Sequence, residues 1–152
     1  PSVTAVAVDA AGNRSEPQTK TFTIDTTAPT LGLIRLANDD DSGTKADGRT
    51  SNPAPSIEFT AEQGAELSVD IKSGTGDFTA LPGATGTATG ALQSLALGTT
   101  DLADGTYLVR LKAVDTALNE TVRTATIVID GTAPGITSGP TQQPRASRRT
   151  AG

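Results

Sequence analysis

The sequence predicts an all-β chain, a Greek-key β-sandwich of about seven short strands cut from a tandem repeat. Three observations carry this. The composition is one of strands and turns: 26 Thr, a residue type that favours strands, stand beside 16 Gly and 9 Pro, which interrupt helices. Several short segments alternate apolar and polar residues with period two. One stretch of the chain recurs about a hundred residues further on.

The repeat divides the chain. Residues 3–13, VTAVAVDAAGN, reappear as VRLKAVDTALN at 109–119, displaced by 106 residues. Residues 19–29, TKTFTIDTTAP, reappear as TATIVIDGTAP at 124–134, displaced by 105. Residues 1–25 are therefore expected to be the C-terminal hairpin of a preceding unit, and 26–30 a joint. Residues 31–130 are expected to form one complete domain, followed by a second joint and a disordered tail over 131–152. The first residue is Pro1 rather than Met, as expected of an excerpt or a processed product.

Within the complete domain the elements follow in order. Leu31 to Leu36 opens it, and Ser56 to Ala61 carries Ile57 and Phe59 two apart. Glu66 to Lys72 places Leu67, Val69 and Ile71 on one face and Glu66, Ser68, Asp70 and Lys72 on the other, the pattern of a strand with one wet side. Residues 73–90 are rich in Gly and Thr and read as a loop holding a weak edge strand near Phe78. Gln93 to Leu97 follows, then Tyr107 to Val114 with Tyr107, Val109, Leu111 and Ala113 on one face, and Val122 to Ile129 closes the unit. This strand count and length are those of an immunoglobulin-like sandwich. Tyr107, at the start of the penultimate strand, reads either as a tyrosine corner or as an ordinary core aromatic.

Composition also excludes. The chain has no His and no Cys, so the usual proton shuttle, the thiolate nucleophile, disulfides and thiolate metal sites are missing. Paired carboxylates alone would need a cleft, and four aromatic residues (Phe22, Phe59, Phe78 and Tyr107) offer a sugar little to stack on. The chain is read as not an enzyme. A net charge of −5 argues against nucleic acid and anionic membranes as partners. No run approaches the roughly 20 apolar residues of a membrane span.

At VDAAGN 8–13, IDTTAP 24–29, DDDSGTKADGRTSNPAP 39–55, LADGTY 102–107 and IDGTAP 129–134, the sequence resembles the bacterial Ig-like repeats of large surface adhesins and biofilm-associated proteins. That resemblance implies a structural stalk or spacer module at the surface of a bacterium, of the Gram-negative kind, often exported by a type I route. Its partners would be neighbouring Ig-like repeats of the same chain, with any host or matrix ligand met by other domains. The alternative is a carbohydrate- or protein-binding accessory module of a secreted multi-domain protein or hydrolase, using a loop such as 73–90. Leu118 departs from the pattern, standing where the first copy has Gly12, so the second turn is expected to be built differently.

Calcium is the one ligand the residues suggest. It takes six to eight oxygens from carboxylates, carbonyls and water. Asp39, Asp41 and Asp47, in a run with Asp40 and Ser42, are candidate ligands together with Asp9, Asn13 and Asp25. If units stack end to end, these oxygens are expected to converge on the joint, with Asp115, Asn119 and Asp130 repeating the role at the far end. The competing reading is that Asp and Asn here bond to their own turns, and the Asp39–Asp47 run lacks a glutamate-ended EF-hand loop. The resemblance strengthens calcium, since some such repeats bind it at their interfaces. The first joint reads as semi-rigid, because Pro29 fixes its own φ and restrains Ala28; Pro134 is the corresponding structural residue of the second, where Gly131 replaces Thr26 and the joint is not expected to be equivalent.

Overall fold

The computed structural model describes residues 1–98 and 100–136; the tail expected after Gly139 lies outside them. Ten strands and no helix are present among these residues. β1 (Ser2–Ala5) and β2 (Gln18–Thr21) pair with each other as a separate two-stranded sheet. The other eight are β3 (Arg35–Leu36), β4 (Arg49–Thr50), β5 (Ser56–Thr60), β6 (Glu66–Ser73), β7 (Thr79–Thr87), β8 (Leu92–Ala96), β9 (Gly105–Val114) and β10 (Glu120–Ile129). They form a five-stranded sheet in the order β4-β10-β9-β6-β7 and a three-stranded sheet in the order β3-β5-β8. The chain changes sheets at every step from β3 to β6, then between β7 and β8 and between β8 and β9, a Greek-key path.

Alternation builds the core between the sheets. Leu67, Val69 and Ile71 of β6 and Val109, Leu111 and Ala113 of β9 are buried. They face Ile57 and Phe59 of β5, Leu36 of β3 and Leu97 just past β8. Most are aliphatic; Phe59 is the one aromatic side chain fully inside. A shift of one residue in any of these strands would turn the whole apolar row to water, so register is strongly specified.

Two elements depart from expectation. The stretch 73–90 is not mainly loop: β7 runs nine residues along the sheet edge, pairing with β6 across a bulge between Ser68 and Asp70. It buries only Ala84 completely, and its Pro82 is compatible with an edge position. The opening segment is not one continuous strand: Leu31 makes an isolated bridge to Ala61, Leu33 is exposed, and ladder pairing resumes at Arg35. β4 pairs parallel to the end of β10, Arg49 with Val128 and Thr50 with Ile129.

Candidate functional site

The candidate ligands fall into three places. Asp9 and Asn13 lie in the turn at one tip of the first hairpin. The Asp9 carboxylate accepts the Ala11 N–H and the Asn13 N–H at 2.9 Å each, and the Asn13 amide at 2.8 Å. These bonds, the Asn13 amide first, lower the Asp9 pKa below the ordinary aspartate value. Asp25 lies at the other end of that hairpin, eleven residues beyond the Val8–Arg14 bridge that closes the turn. At strand rise that is about 35 Å, so Asp9 and Asp25 do not face a common ion.

Asp25 sits against the complete domain instead. Its carbonyl accepts the Asn119 side-chain amide at 3.2 Å, and its Oδ1 accepts the Thr27 N–H at 3.0 Å. A few residues on, the Thr30 N–H donates to Glu62 Oε2 at 3.1 Å, and Pro29 is fully buried. Asn119 comes from the β9–β10 turn, where Asp115 accepts the Ala117 and Asn119 N–H groups and the Asn119 amide, as Asp9 does in the first copy. The two turns are thus built alike, contrary to the expectation drawn from Leu118. Leu118 adopts φ +68°, beside +89° for Gly12.

Asp39, Asp41 and Asp47 lie at the opposite end of the sandwich. The chain enters the domain at Leu31, beside Ala61, and has crossed to the far end by Ala37, whose N–H donates to the Ser56 carbonyl. That end also holds Asp130, whose N–H donates to the Thr50 carbonyl. The acidic run therefore does not meet Asp25. Asp40 ties the loop together, accepting the Asn52 amide at 2.6 Å and the Ser56 N–H at 2.7 Å. Asp47 Oδ1 accepts the Arg49 N–H, and Asp41 Oδ2 the Ala46 N–H. Lys45 Nζ donates to the carbonyls of Asn38 and Asp41. Asp39 is exposed.

One atom in this loop stands apart. Asp41 is 3% exposed, and its Oδ1 has no hydrogen-bond partner among the described residues. Asp41 and Asp47 both line a cavity of about 200 Å³ bounded by Ile34, Leu36, Ala125 and Thr126. Calcium needs more oxygens than two carboxylates supply, and among the described residues no three acidic side chains gather as a metal would require. The fit is therefore partial: an orphaned buried oxygen favours a cation, and the Lys45 ammonium already holds two of the nearby carbonyls.

The second joint is held by a residue that the reading of the acidic motifs passed over. Asp104 accepts the Gly131 N–H at 2.9 Å and the Thr132 hydroxyl at 2.6 Å, and these lower its pKa. In the sequence it stood inside LADGTY 102–107 with no role assigned to it. Pro134 is exposed, unlike Pro29. Beside Asp104, the Tyr107 hydroxyl donates to the Ala103 carbonyl at 2.9 Å, the bond a tyrosine corner makes. On the outer sheet face, Phe78 is covered by Arg110, 4.1 Å from its ring centre, and by Lys72 at 5.0 Å. Arg110 in turn pairs with Asp70. The aromatic ring within the 73–90 segment is thus engaged by the protein itself.

A two-sheet sandwich with a tyrosine corner and hydrogen-bonded joints at both ends defines an immunoglobulin-like repeat module. Residues 27–131 match the family described as the bacterial Ig-like domain, and the chain belongs to that family. A comparison with curated proteins finds no match. Domains of this family are typically non-catalytic modules and commonly occur in extracellular proteins. Among the described residues no helix is long and apolar enough to cross a membrane.

Proposed function

We propose that the chain is a stalk or spacer segment of a bacterial surface protein, of the adhesin or biofilm-associated kind in Gram-negative cells. The observation that carries this reading is the clamping of both connecting segments by the domain itself: Asn119 and Glu62 hold residues 25–30, and Asp104 holds 131–132. A flexible tether would be free of such bonds and rich in Gly and Ser. Clamped connections keep successive units at a fixed spacing, which is what a stalk requires. The neighbouring units are its partners, and any host ligand is met elsewhere. The carbohydrate-binding alternative has less support, because Phe78 is stacked under Arg110.

Two tandem copies of residues 1–136 test the reading by small-angle scattering. The maximum dimension should shrink, and the profile should broaden, when residues 26–30 of the second copy are replaced by Gly-Ser. Identical profiles would remove the mechanical basis of the spacer reading.

Calcium enters this proposal at the Asp39–Asp47 end. A cation beside Asp41 Oδ1 would supply the missing partner of a buried carboxylate oxygen, with Asp47 and water completing its shell. Calcium should then raise the melting temperature of the native chain by a few degrees over chelator and leave Asp41→Asn unchanged. Superimposable melts of the native chain in calcium and in chelator would make the loop metal-free and leave the spacer reading intact.

A further inference from the structure

Among the described residues the sandwich has four sheet edges, β3 and β8 in one sheet and β4 and β7 in the other. A bare edge is a template for a further strand, and proteins blunt edges with charge, proline or brevity. Three of these edges are blunted. β3 and β4 are two residues long, and each begins with an exposed arginine, Arg35 or Arg49. β7 is longer, but Pro82 has no N–H to offer a ladder, and Gly83 at φ +83° breaks the extended run. β8 has none of these devices. Its five residues, Leu92 to Ala96, hold no charge and no proline, and among the described residues its ladder is with β5 alone.

Register fixes what the β8 edge presents. The Ala37 N–H donates to the Ser56 carbonyl and the Gly32 N–H to the Thr60 carbonyl, so alternate residues of β5 turn their backbone toward β3. Ile57 and Phe59, between them, turn theirs toward Leu95 and Gln93 of β8. The Leu97 N–H on the Pro55 carbonyl, at 2.9 Å, continues that ladder. The N–H and C=O groups of Leu92, Ser94 and Ala96 therefore point away from β5, out of the sheet edge. These three side chains are exposed too, whereas Leu95 packs on the core and the Gln93 amide oxygen accepts the Thr89 N–H at 2.7 Å.

We infer that β8 is a docking edge for the β8 strand of a second copy of this chain, in antiparallel register. A two-fold axis at Ser94 pairs the whole strand. Leu92 then opposes the partner's Ala96, and Ser94 opposes the partner's Ser94, each pair exchanging both N–H···O bonds. A large side chain stands beside a small one, and two hydroxyls lie side by side. No like charges meet at the seam, because Glu58, beside Ser94 in the same row, is neutralised by its own Arg35. The same axis keeps the core faces of the two β3-β5-β8 sheets on one side, so they join as one continuous sheet. Five residues bury less than a standard interface needs. A single pair is therefore weak, and successive units gain affinity only by adding pairs. Antiparallel register sets two stalks head to tail, as when they rise from facing surfaces; that consequence alone rests on the spacer reading.

Sedimentation equilibrium and amide NMR of the full chain, taken up to about 1 mM, test the inference. The expected result is a monomer–dimer equilibrium with Kd below about 1 mM, in which the Leu92, Ser94 and Ala96 amides shift with concentration. Ser94→Lys and Ser94→Glu each set like charges across the axis and should weaken the dimer at least about 10-fold. Ser94 is exposed, so both variants should melt as the native chain does. An equimolar mixture of the two variants should recover the dimer, because opposite charges then face each other. A change in stability alone would not produce that recovery. A native chain that stays monomeric at about 1 mM, a dimer that Ser94→Lys leaves intact, or a mixture that fails to recover overturns the inference. The spacer reading is decided separately, by the scattering of tandem copies with and without the Gly-Ser joint.

Discussion

Leu118 holds a left-handed backbone, φ +68°, at a position where the first copy of the turn has glycine. A residue with a Cβ is disfavoured there by roughly 1–2 kcal/mol. The turn keeps this geometry because Asp115 draws three donors inward, fixing the backbone on both sides of Leu118. The Leu118 side chain is 81% exposed, so it recovers little by packing. Leu118→Gly should therefore stabilise the domain by about 1 kcal/mol, the relief of strain exceeding the entropy glycine adds to the unfolded chain. Thermal melts should show a rise of a few degrees. An unchanged or lower melting temperature would mean that the left-handed conformation costs nothing here. The Asp–Asn turn was legible in the sequence only as one of two readings, and Leu118 argued against the same build in this copy. That a leucine would be forced into it was not legible, because the constraint comes from the hydrogen bonds and overrides the residue's own preference.

At the level of elements, legibility followed side-chain burial. β6 and β9 bury alternate residues along their length, and the period was plain in the sequence. β7 buries little beyond Ala84, so its Gly and Thr residues carried no period even though the backbone pairs over much of the edge. β4 is two residues long and exists because β10 lies alongside it, a contact no local pattern encodes. The loop joining β3 to β4 shows the same division. Its acidic character was evident, but the work falls to Asp40, which joins the Asn52 amide to the start of β5 at Ser56. Asp40→Ala should cost about 1–3 kcal/mol, since it leaves a partly buried backbone N–H without its acceptor. Asp39→Ala, at an exposed neighbour, should stay within about 0.5 kcal/mol of native. Urea unfolding of the two variants measures the contrast, and equal losses would mean the loop is held by its charge and not by Asp40.

For the whole molecule, the acidic residues that looked like one constellation are distributed along its length, because each strand carries the chain from one end to the other. Asp25 meets the turn that holds Asn119, whereas Asp39 to Asp47 share an end with Asp104 and Asp130. Counting strand crossings would have separated them; spacing alone did not. The separation makes the two joints chemically different. The first is gripped by a neutral amide, Asn119, and by Glu62. The second is gripped by the Asp104 carboxylate, whose pKa is lowered first by the Thr132 hydroxyl and then by the Gly131 N–H. A carboxyl whose folded pKa is depressed stabilises above its unfolded value, near 3.8, and that stabilisation is lost as the pH falls through the lower folded pKa. Because Asp104 lies at the surface, salt and water screen the effect and the consequence is local loosening, not unfolding. The Gly131 amide should therefore stay protected from pH 7 down to about 4 and become exchange-labile below it. Asp104→Ala should make the Gly131 amide labile at every pH, without shifting the amides of β6 or β9. Protection that persists at pH 2, or that survives the substitution, would show that the second joint is held by something other than this carboxylate.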